Sequence, residues 1–158
     1  MKLKQITVGV ALAVSALAAN AVDLDFGTDP MSFGYVATVA TNTVFFDTYA
    51  FALSGGATVD ATAFALSGIK SGASWSLFEV GSPDDLFLGG WGLSPAGNPV
   101  LTLDAGSYYF TVGGKSAAAS VGKYAIAATV TPVPEPETYA MMLAGLAAVG
   151  FLARRRQG

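Results

Sequence analysis

The feature that most constrains the fold of this chain is an alternation with a period of two in residues 45–53. One set of alternate positions holds Phe45, Asp47, Tyr49, Phe51 and Leu53. Successive side chains of a β-strand point to opposite faces of its sheet, so a strand with one face in a core shows such an alternation. The pattern therefore predicts a β-strand at this position.

Further apolar and aromatic segments follow, separated by short runs of Gly, Pro, Ser and Asp that are typical of turns. The predicted strands span residues 57–66, 74–80, 86–91, 100–103, 108–112 and 123–130. The stretch that contains them has no long helical period. We therefore expect a mainly β fold, an antiparallel and jelly-roll-like β-sandwich, flanked by an N-terminal signal helix and a C-terminal transmembrane helix.

The first 21 residues are typical of a secretory signal peptide. Lys2 and Lys4 give it a positive start, and an apolar run follows. Ala19 and Ala21 form a small-x-small cleavage site, which predicts an exported mature chain that starts at Val22. The alternatives are a short buried helix or a retained anchor, but the apolar run is shorter than the about 20 residues that a spanning helix needs.

The segment at residues 132–158 has three parts. Pro134 and Pro136 exclude a continuous helix, which predicts an extended linker. Residues 139–153 are apolar and predict a transmembrane helix, and the positive-inside rule places the arginines that follow in the cytoplasm. The alternatives are a plain tail anchor or a buried core helix. The residues that define the segment are Pro134, Glu135, Pro136, Arg154, Arg155 and Arg156.

The order of these parts resembles the PEP-CTERM sorting domain, also called the ice-binding protein C-terminal domain. The resemblance implies a Gram-negative host that makes exopolysaccharide and a biofilm matrix, and an exosortase that recognises the segment. The protein would be the substrate of that enzyme. It would cross the inner membrane through the secretion machinery, be held there for a time by its C-terminal helix, and then reach the cell surface or the extracellular matrix.

Residues 45–53 also resemble the FxDxF group of PEP-CTERM proteins. Phe45 and Asp47 match the first two positions, whereas Tyr49 stands where the second Phe is expected. The resemblance implies no established activity. Asp47 is predicted either to face outward or to be a buried carboxylate with satisfied hydrogen bonds, because a buried charge without partners is costly.

The chain of 158 residues contains neither Cys nor His. This composition excludes disulfides, thiolate and imidazole metal ligands, cysteine nucleophiles and Ser–His–Asp catalysis. The predicted exported domain, residues 22–131, has three lysines against nine acidic residues. Nucleic-acid binding is disfavoured because few groups there neutralise phosphates. We expect no enzyme activity, catalytic residue, metal or cofactor; an enzyme of this composition would need two carboxylates that converge in a pocket.

Two acidic segments are candidate sites. Asp23, Asp25 and Asp29 have the alternate spacing of a calcium loop, but the distal Glu of an EF-hand is absent, and a solvated acidic N-terminus is the favoured interpretation. Asp84 and Asp85 are candidates for the paired carboxylates of a glycosidase. Because they are adjacent and follow a Pro, a polar turn is favoured.

Aromatic residues give a third candidate, a platform for a sugar. Its members are Trp75, Trp91, Tyr108 and Tyr109. Aromatic residues of a small sandwich more often belong to the core. Trp91, however, lies in the glycine-rich residues 89–92, which predict a loop with an exposed ring, so Trp91 and Trp75 are kept as candidate ligand contacts.

The leading hypothesis is a non-enzymatic, exported structural or adhesive β domain. The alternative is a carbohydrate-binding module for exopolysaccharide. Ice binding needs a flat and regular array of threonines, and it is disfavoured because the threonines follow no repeat. They are Thr38, Thr41, Thr43, Thr48, Thr58 and Thr62.

Overall fold

The computed structural model describes residues 21–94, 99–134 and 136–155. Several residues singled out in the sequence lie outside these ranges. They are residues 1–20 of the predicted signal peptide, with Ala19, and Glu135 and Arg156 of the C-terminal segment.

Nine strands and one helix make up the described part of the chain. The strands are β1 (Asp23–Thr28), β2 (Ser32–Val39), β3 (Val44–Leu53), β4 (Ala57–Ser67), β5 (Ser74–Glu79), β6 (Leu86–Gly92), β7 (Val100–Leu103), β8 (Gly106–Lys115) and β9 (Gly122–Pro132), and the helix is α1 (Pro136–Arg155). All seven strands predicted from the sequence are present, as β3 to β9.

The strands form two sheets, in the orders β1-β3-β8-β5-β6 and β2-β9-β4-β7. Strand β2 pairs with β9, β3 with β8, β4 with β7 and β5 with β6, in each case antiparallel. Along the chain, each of these pairs encloses the next, as in a single long β-hairpin. Such a hairpin folded over into two layers is the arrangement of jelly-roll sandwiches. The expectation of a mainly β chain with largely antiparallel sheets is confirmed.

Strands β1 and β2 were not predicted. β1 pairs with β3 in parallel, with Asp23 opposite Thr48, so the expectation of a purely antiparallel fold is wrong at this edge. The segment expected to be a solvated acidic N-terminus is this edge strand. β2 buries Phe33 and Tyr35 on one face, but Gly34 and other small residues weaken the alternation in its sequence.

Aromatic rings from both sheets fill the space between them. The ring of Phe33 on β2 lies 5.5 Å from that of Phe51 on β3 and 6.2 Å from that of Phe110 on β8, measured between centroids. Tyr124 on β9 stacks on Phe45 of β3 at 5.3 Å. These contacts join the two layers, because each ring removes a large apolar area from water.

Helix α1 begins at Pro136, a position that suits Pro because the first N–H groups of a helix have no partner within it. Among the described residues, no helix combines the length and the apolar character needed to cross a membrane. The expectation of a C-terminal transmembrane helix is therefore corrected. The apolar stretch of α1, residues 139–153, lies between Glu137 and Arg154 and is shorter than the about 20 residues that a hydrocarbon core requires.

The core packing predicts different costs for two phenylalanines on paired strands. Phe110→Ala removes a ring with 0 % exposure and should lower the free energy of unfolding by about 3–5 kcal/mol. Phe46→Ala is the matched control, because Phe46 is 59 % exposed on the outer face of β3; it should cost less than about 1 kcal/mol. Urea denaturation measures both values, and equal costs would contradict the proposed core.

Candidate functional site

The outer face of the five-stranded sheet carries three aromatic side chains in a row across three neighbouring strands. These are Tyr109 on β8, Phe78 on β5 and Phe87 on β6, and we call them the aromatic row. Phe78 lies opposite both other residues in the strand register. Its ring stacks on Tyr109 at 5.2 Å with 9° between the planes, and meets the ring of Phe87 edge-on at 5.4 Å.

The aromatic row is partly open to solvent. Phe87 is 57 % exposed, while Phe78 and Tyr109 are partly buried. Edge strand β6 carries Phe87, so one end of the row lies at the border of the sheet. An exposed group of large rings on one face of a sheet is a surface to which a ligand with an apolar face can bind.

Asp85 holds one end of the aromatic row in place. Its carboxylate accepts a hydrogen bond of 2.7 Å from the Tyr109 hydroxyl and one of 3.1 Å from the Gly81 amide. These two bonds lower the pKa of Asp85, and the same carboxylate raises the pKa of Tyr109. The turn predicted for Asp84 and Asp85 is present between β5 and β6. Asp85 therefore places a charged acceptor beside an aromatic surface.

Small residues leave one edge of the Phe87 ring open. A Cβ atom at Gly90 would lie 3.0 Å from the Ser76 hydroxyl and 3.4 Å from the Phe87 ring. Gly90 is opposite Ser76 in the register of β5 and β6, so a larger residue there would cover part of the ring. The surface beside the aromatic row thus combines an open ring edge with a hydroxyl group.

The tryptophans predicted as ligand contacts lie elsewhere. Trp75 is buried, and its ring lies 4.7 Å from that of Trp91 with 35° between the planes. Trp91 belongs to strand β6 rather than to a loop, and it is partly buried against the core. A Cβ atom at Gly89 would lie 2.7 Å from the Trp91 ring, so Gly89 lets the ring fold back over the strand.

Of the predicted platform, only Tyr109 lies on the outer face. Tyr108 is buried and its hydroxyl donates to the carbonyl oxygen of Asp104 at 3.0 Å. Phe78 and Phe87 were missed because the prediction favoured Trp and Tyr. The signal was available in the sequence, since Phe78 alternates with Leu77 and must point away from the core if Leu77 points into it.

A second polar feature lies inside the sandwich. Asp47 is 3 % exposed, and its Oδ2 accepts a hydrogen bond from the Tyr124 hydroxyl. The hydroxyls of Tyr124 and Tyr49 are 2.7 Å apart, and Asp47 Oδ1 accepts from the Val22 amide at 2.6 Å. Asp47 is thus a buried carboxylate with satisfied hydrogen bonds, one of the two arrangements predicted for it.

Burial dominates the electrostatics of this cluster. Loss of water raises the pKa of Asp47, and the hydrogen bonds from Tyr124 and Val22 offset part of that rise. Burial also raises the pKa of Tyr49 and of Tyr124, so both hydroxyls stay protonated and act as neutral donors. The cluster therefore holds one acidic group among neutral partners.

The acidic residues of β1, and Asp29 directly after it, do not converge. Asp25 accepts a hydrogen bond from the Gly27 amide at 2.8 Å, and Asp29 accepts one from the Ser54 amide at 2.8 Å. Bonds from the Ser54 hydroxyl and amide lower the pKa of Asp29. Within the described part of the chain, no three acidic residues are grouped in a way that would hold a metal ion.

A hollow of about 250 Å³ lies at one end of the sandwich, next to the start of the C-terminal segment. It is lined by apolar and small residues, among them Met31, Val130 and Val133. Asp29 is the one acidic residue in its described lining. The described part of its lining therefore does not include the two facing carboxylates that glycoside hydrolysis requires.

The C-terminal segment leaves the sandwich directly after its last strand. β9 ends at Pro132, and the Val133 amide donates to the Gly56 carbonyl at 2.9 Å. After Pro134 the chain enters α1, whose described large apolar side chains are exposed. Arg154 and Arg155 lie in the last turn, where positive charge interacts favourably with the helix dipole.

Comparison with solved structures finds similar β domains at low sequence identity. The pre-peptidase C-terminal domain of a Bacillus anthracis collagenase is 16 % identical over 73 % of this chain and 100 % of that chain, with a TM-score of 0.48. The periplasmic inhibitor of g-type lysozyme PliG from Aeromonas hydrophila is 14 % identical over 72 % of this chain and 100 % of that chain, with a TM-score of 0.49. No curated protein matches the chain.

Comparison with protein families gives one assignment. The matched residues, 132–156, begin at the end of β9 and include the linker, α1 and the arginines. They contain the predicted signal residues, among them Pro134, Pro136 and Arg155. The FxDxF subgroup stays a prediction. Through residues 132–156, this chain carries the PEP-CTERM protein-sorting motif.

Proposed function

We propose that this chain is an exported, non-enzymatic protein of the cell surface or extracellular matrix, which an exosortase sorts and cleaves through residues 132–156. The PEP-CTERM motif carries the proposal. In this proposal the secretion machinery of a Gram-negative host exports the chain, with signal cleavage between Ala21 and Val22. The β domain is the part of the protein that is delivered, and the C-terminal segment is its sorting signal.

The position of the motif supports this division of roles. The motif begins at Pro132, the last residue of β9, so its removal would break the terminal pair of Pro132 with Ala57 but leave the other strand pairs of the sandwich intact. Pro134 precedes the helix and keeps the backbone there extended. An enzyme that cleaves a chain binds an extended backbone more readily than a helical one, since helical N–H and C=O groups already pair with each other.

Replacing Pro134 and Pro136 together with Ala should prevent removal of the C-terminal segment. The double variant permits α1 to extend backwards and withdraws the extended backbone from the enzyme. Intact-mass measurement of the protein from exosortase-producing host cells checks this outcome. The wild type and the control Pro30→Ala should both lose the mass of the segment. Recovery of the full segment in the wild-type protein would contradict the proposal.

The aromatic row favours a second function, binding of exopolysaccharide by the outer face of the five-stranded sheet. A sugar ring has an apolar C–H face that stacks on an aromatic ring, and hydroxyls that bind a carboxylate or a hydroxyl group. Phe78, Phe87 and Tyr109 supply the rings, and Asp85 and Ser76 supply polar groups within the same surface. In this function the sorted protein attaches to the polymer of its own matrix.

Phe87→Ala should weaken binding to exopolysaccharide purified from the host by at least about tenfold, which corresponds to about 1.4 kcal/mol. Phe46→Ala is the matched control, because Phe46 is 59 % exposed on the same face but lies outside the aromatic row. It should leave affinity within about twofold. Isothermal titration calorimetry measures both. Equal losses for the two variants, or no binding by the wild type, would refute this function.

A further inference from the structure

The main chain around Val22 is fixed by two hydrogen bonds to strand β3. The Val22 amide donates to Oδ1 of Asp47 at 2.6 Å, and the Val22 carbonyl accepts from the Thr48 amide at 2.7 Å. Val22 lies immediately before β1, which pairs with β3 from Asp23 onward. The nitrogen of Val22 is therefore positioned by the sheet and not only by its contact with Asp47.

Asp47 lacks a cationic partner among the described contacts. Its hydrogen-bond donors are the Val22 amide and the Tyr124 hydroxyl, and the next hydroxyl in the cluster belongs to Tyr49. All three are neutral groups. The lysines of the domain are exposed; they are Lys70, Lys115 and Lys123. A carboxylate with 3 % exposure is stabilised far more by a positive donor than by a neutral one.

We propose that Asp47 is the receptor for the α-ammonium group of the mature chain, so that signal cleavage supplies the cation for this buried carboxylate. The inference rests on the proposed export with cleavage after Ala21. A signal peptidase adds water across the Ala21–Val22 peptide bond. The new carboxylate leaves with Ala21, and the Val22 nitrogen keeps its proton, gains two more and becomes an ammonium group. That nitrogen already lies 2.6 Å from the acceptor oxygen.

The ion pair changes how stability depends on pH. When the Val22 nitrogen is an amide, burial raises the pKa of Asp47. The contribution of Asp47 to the free energy of unfolding is then fully present below the ordinary pKa of an Asp. It is lost as the pH rises through the raised pKa. An ammonium group at Val22 favours the ionised carboxylate and offsets this loss. Tyr49 and Tyr124, which face Asp47, remain neutral throughout because burial raises the pKa of each.

The test uses two purified chains that differ by one exposed residue. One spans residues 22–158 and has its free amino group on Val22, and the other spans 21–158 and has an amide at Val22. From about pH 4 to about pH 7, the ratio of folded to unfolded protein in the first chain should rise relative to the second by at least about tenfold. Urea denaturation at each pH measures the ratio.

Asp47→Asn in both chains gives the matched cycle, because Asn keeps an acceptor oxygen for the Val22 nitrogen but carries no charge. The tenfold difference should then fall below about twofold, whereas Asp60→Asn, at an exposed site on β4, should leave it unchanged. Equal stability of the two chains with Asp47 present, or the same difference with Asp47→Asn, would overturn the proposal.

A readout in the unsubstituted protein covers the case in which Asp47→Asn does not fold. Nitrogen NMR of the 22–158 chain should show the pKa of the Val22 α-amino group well above the usual range for such groups, and an ordinary value would refute the ion pair. Because these experiments need neither exosortase nor host cells, their outcome is independent of C-terminal sorting. The mass of the N-terminus in exported protein tests the cleavage after Ala21 separately.

Discussion

Burial of aromatic rings between the two sheets is the interaction on which the other features depend. Phe33 reaches from β2 to Phe51 and Phe110 in the facing sheet, and Tyr124 reaches from β9 to Phe45. The small domain has no disulfide to support it, since the chain lacks Cys. Apolar burial must therefore supply most of its stability. The alternate positions that face the interior accordingly hold mainly apolar residues.

Two features depart from this division between an apolar inner face and a polar outer face. On the inner face, Asp47 enters the core where the rings of Tyr49 and Tyr124 bring their hydroxyls together. On the outer face, the alternation leaves Phe78 and Tyr109 to stack on each other in place of the polar residues common at such positions. The first feature is satisfied by hydrogen bonds within the domain. The second leaves apolar surface in contact with solvent, and a binding partner would remove that surface from water.

The sorting motif and the sandwich are separable in structure. Strand β9 ends at Pro132, where the matched motif begins, and the described large side chains of α1 are exposed rather than packed into the core. The identity of the motif accordingly says little about the β domain, whose fold follows from its own pattern of apolar residues.

The sequence alone was sufficient for the motif, for the β class and for strands β3 to β9, because each depends on local order: a spacing of prolines and arginines, or an alternation along one segment. It did not reveal β1, whose parallel pairing with β3 depends on a partner distant in the chain. For the same reason, the sequence did not reveal that Trp75 is buried, or that Phe78 and Phe87 are aligned across neighbouring strands. Only the tertiary structure decided these points, since strand pairing determines which rings are neighbours and which face of a sheet meets water.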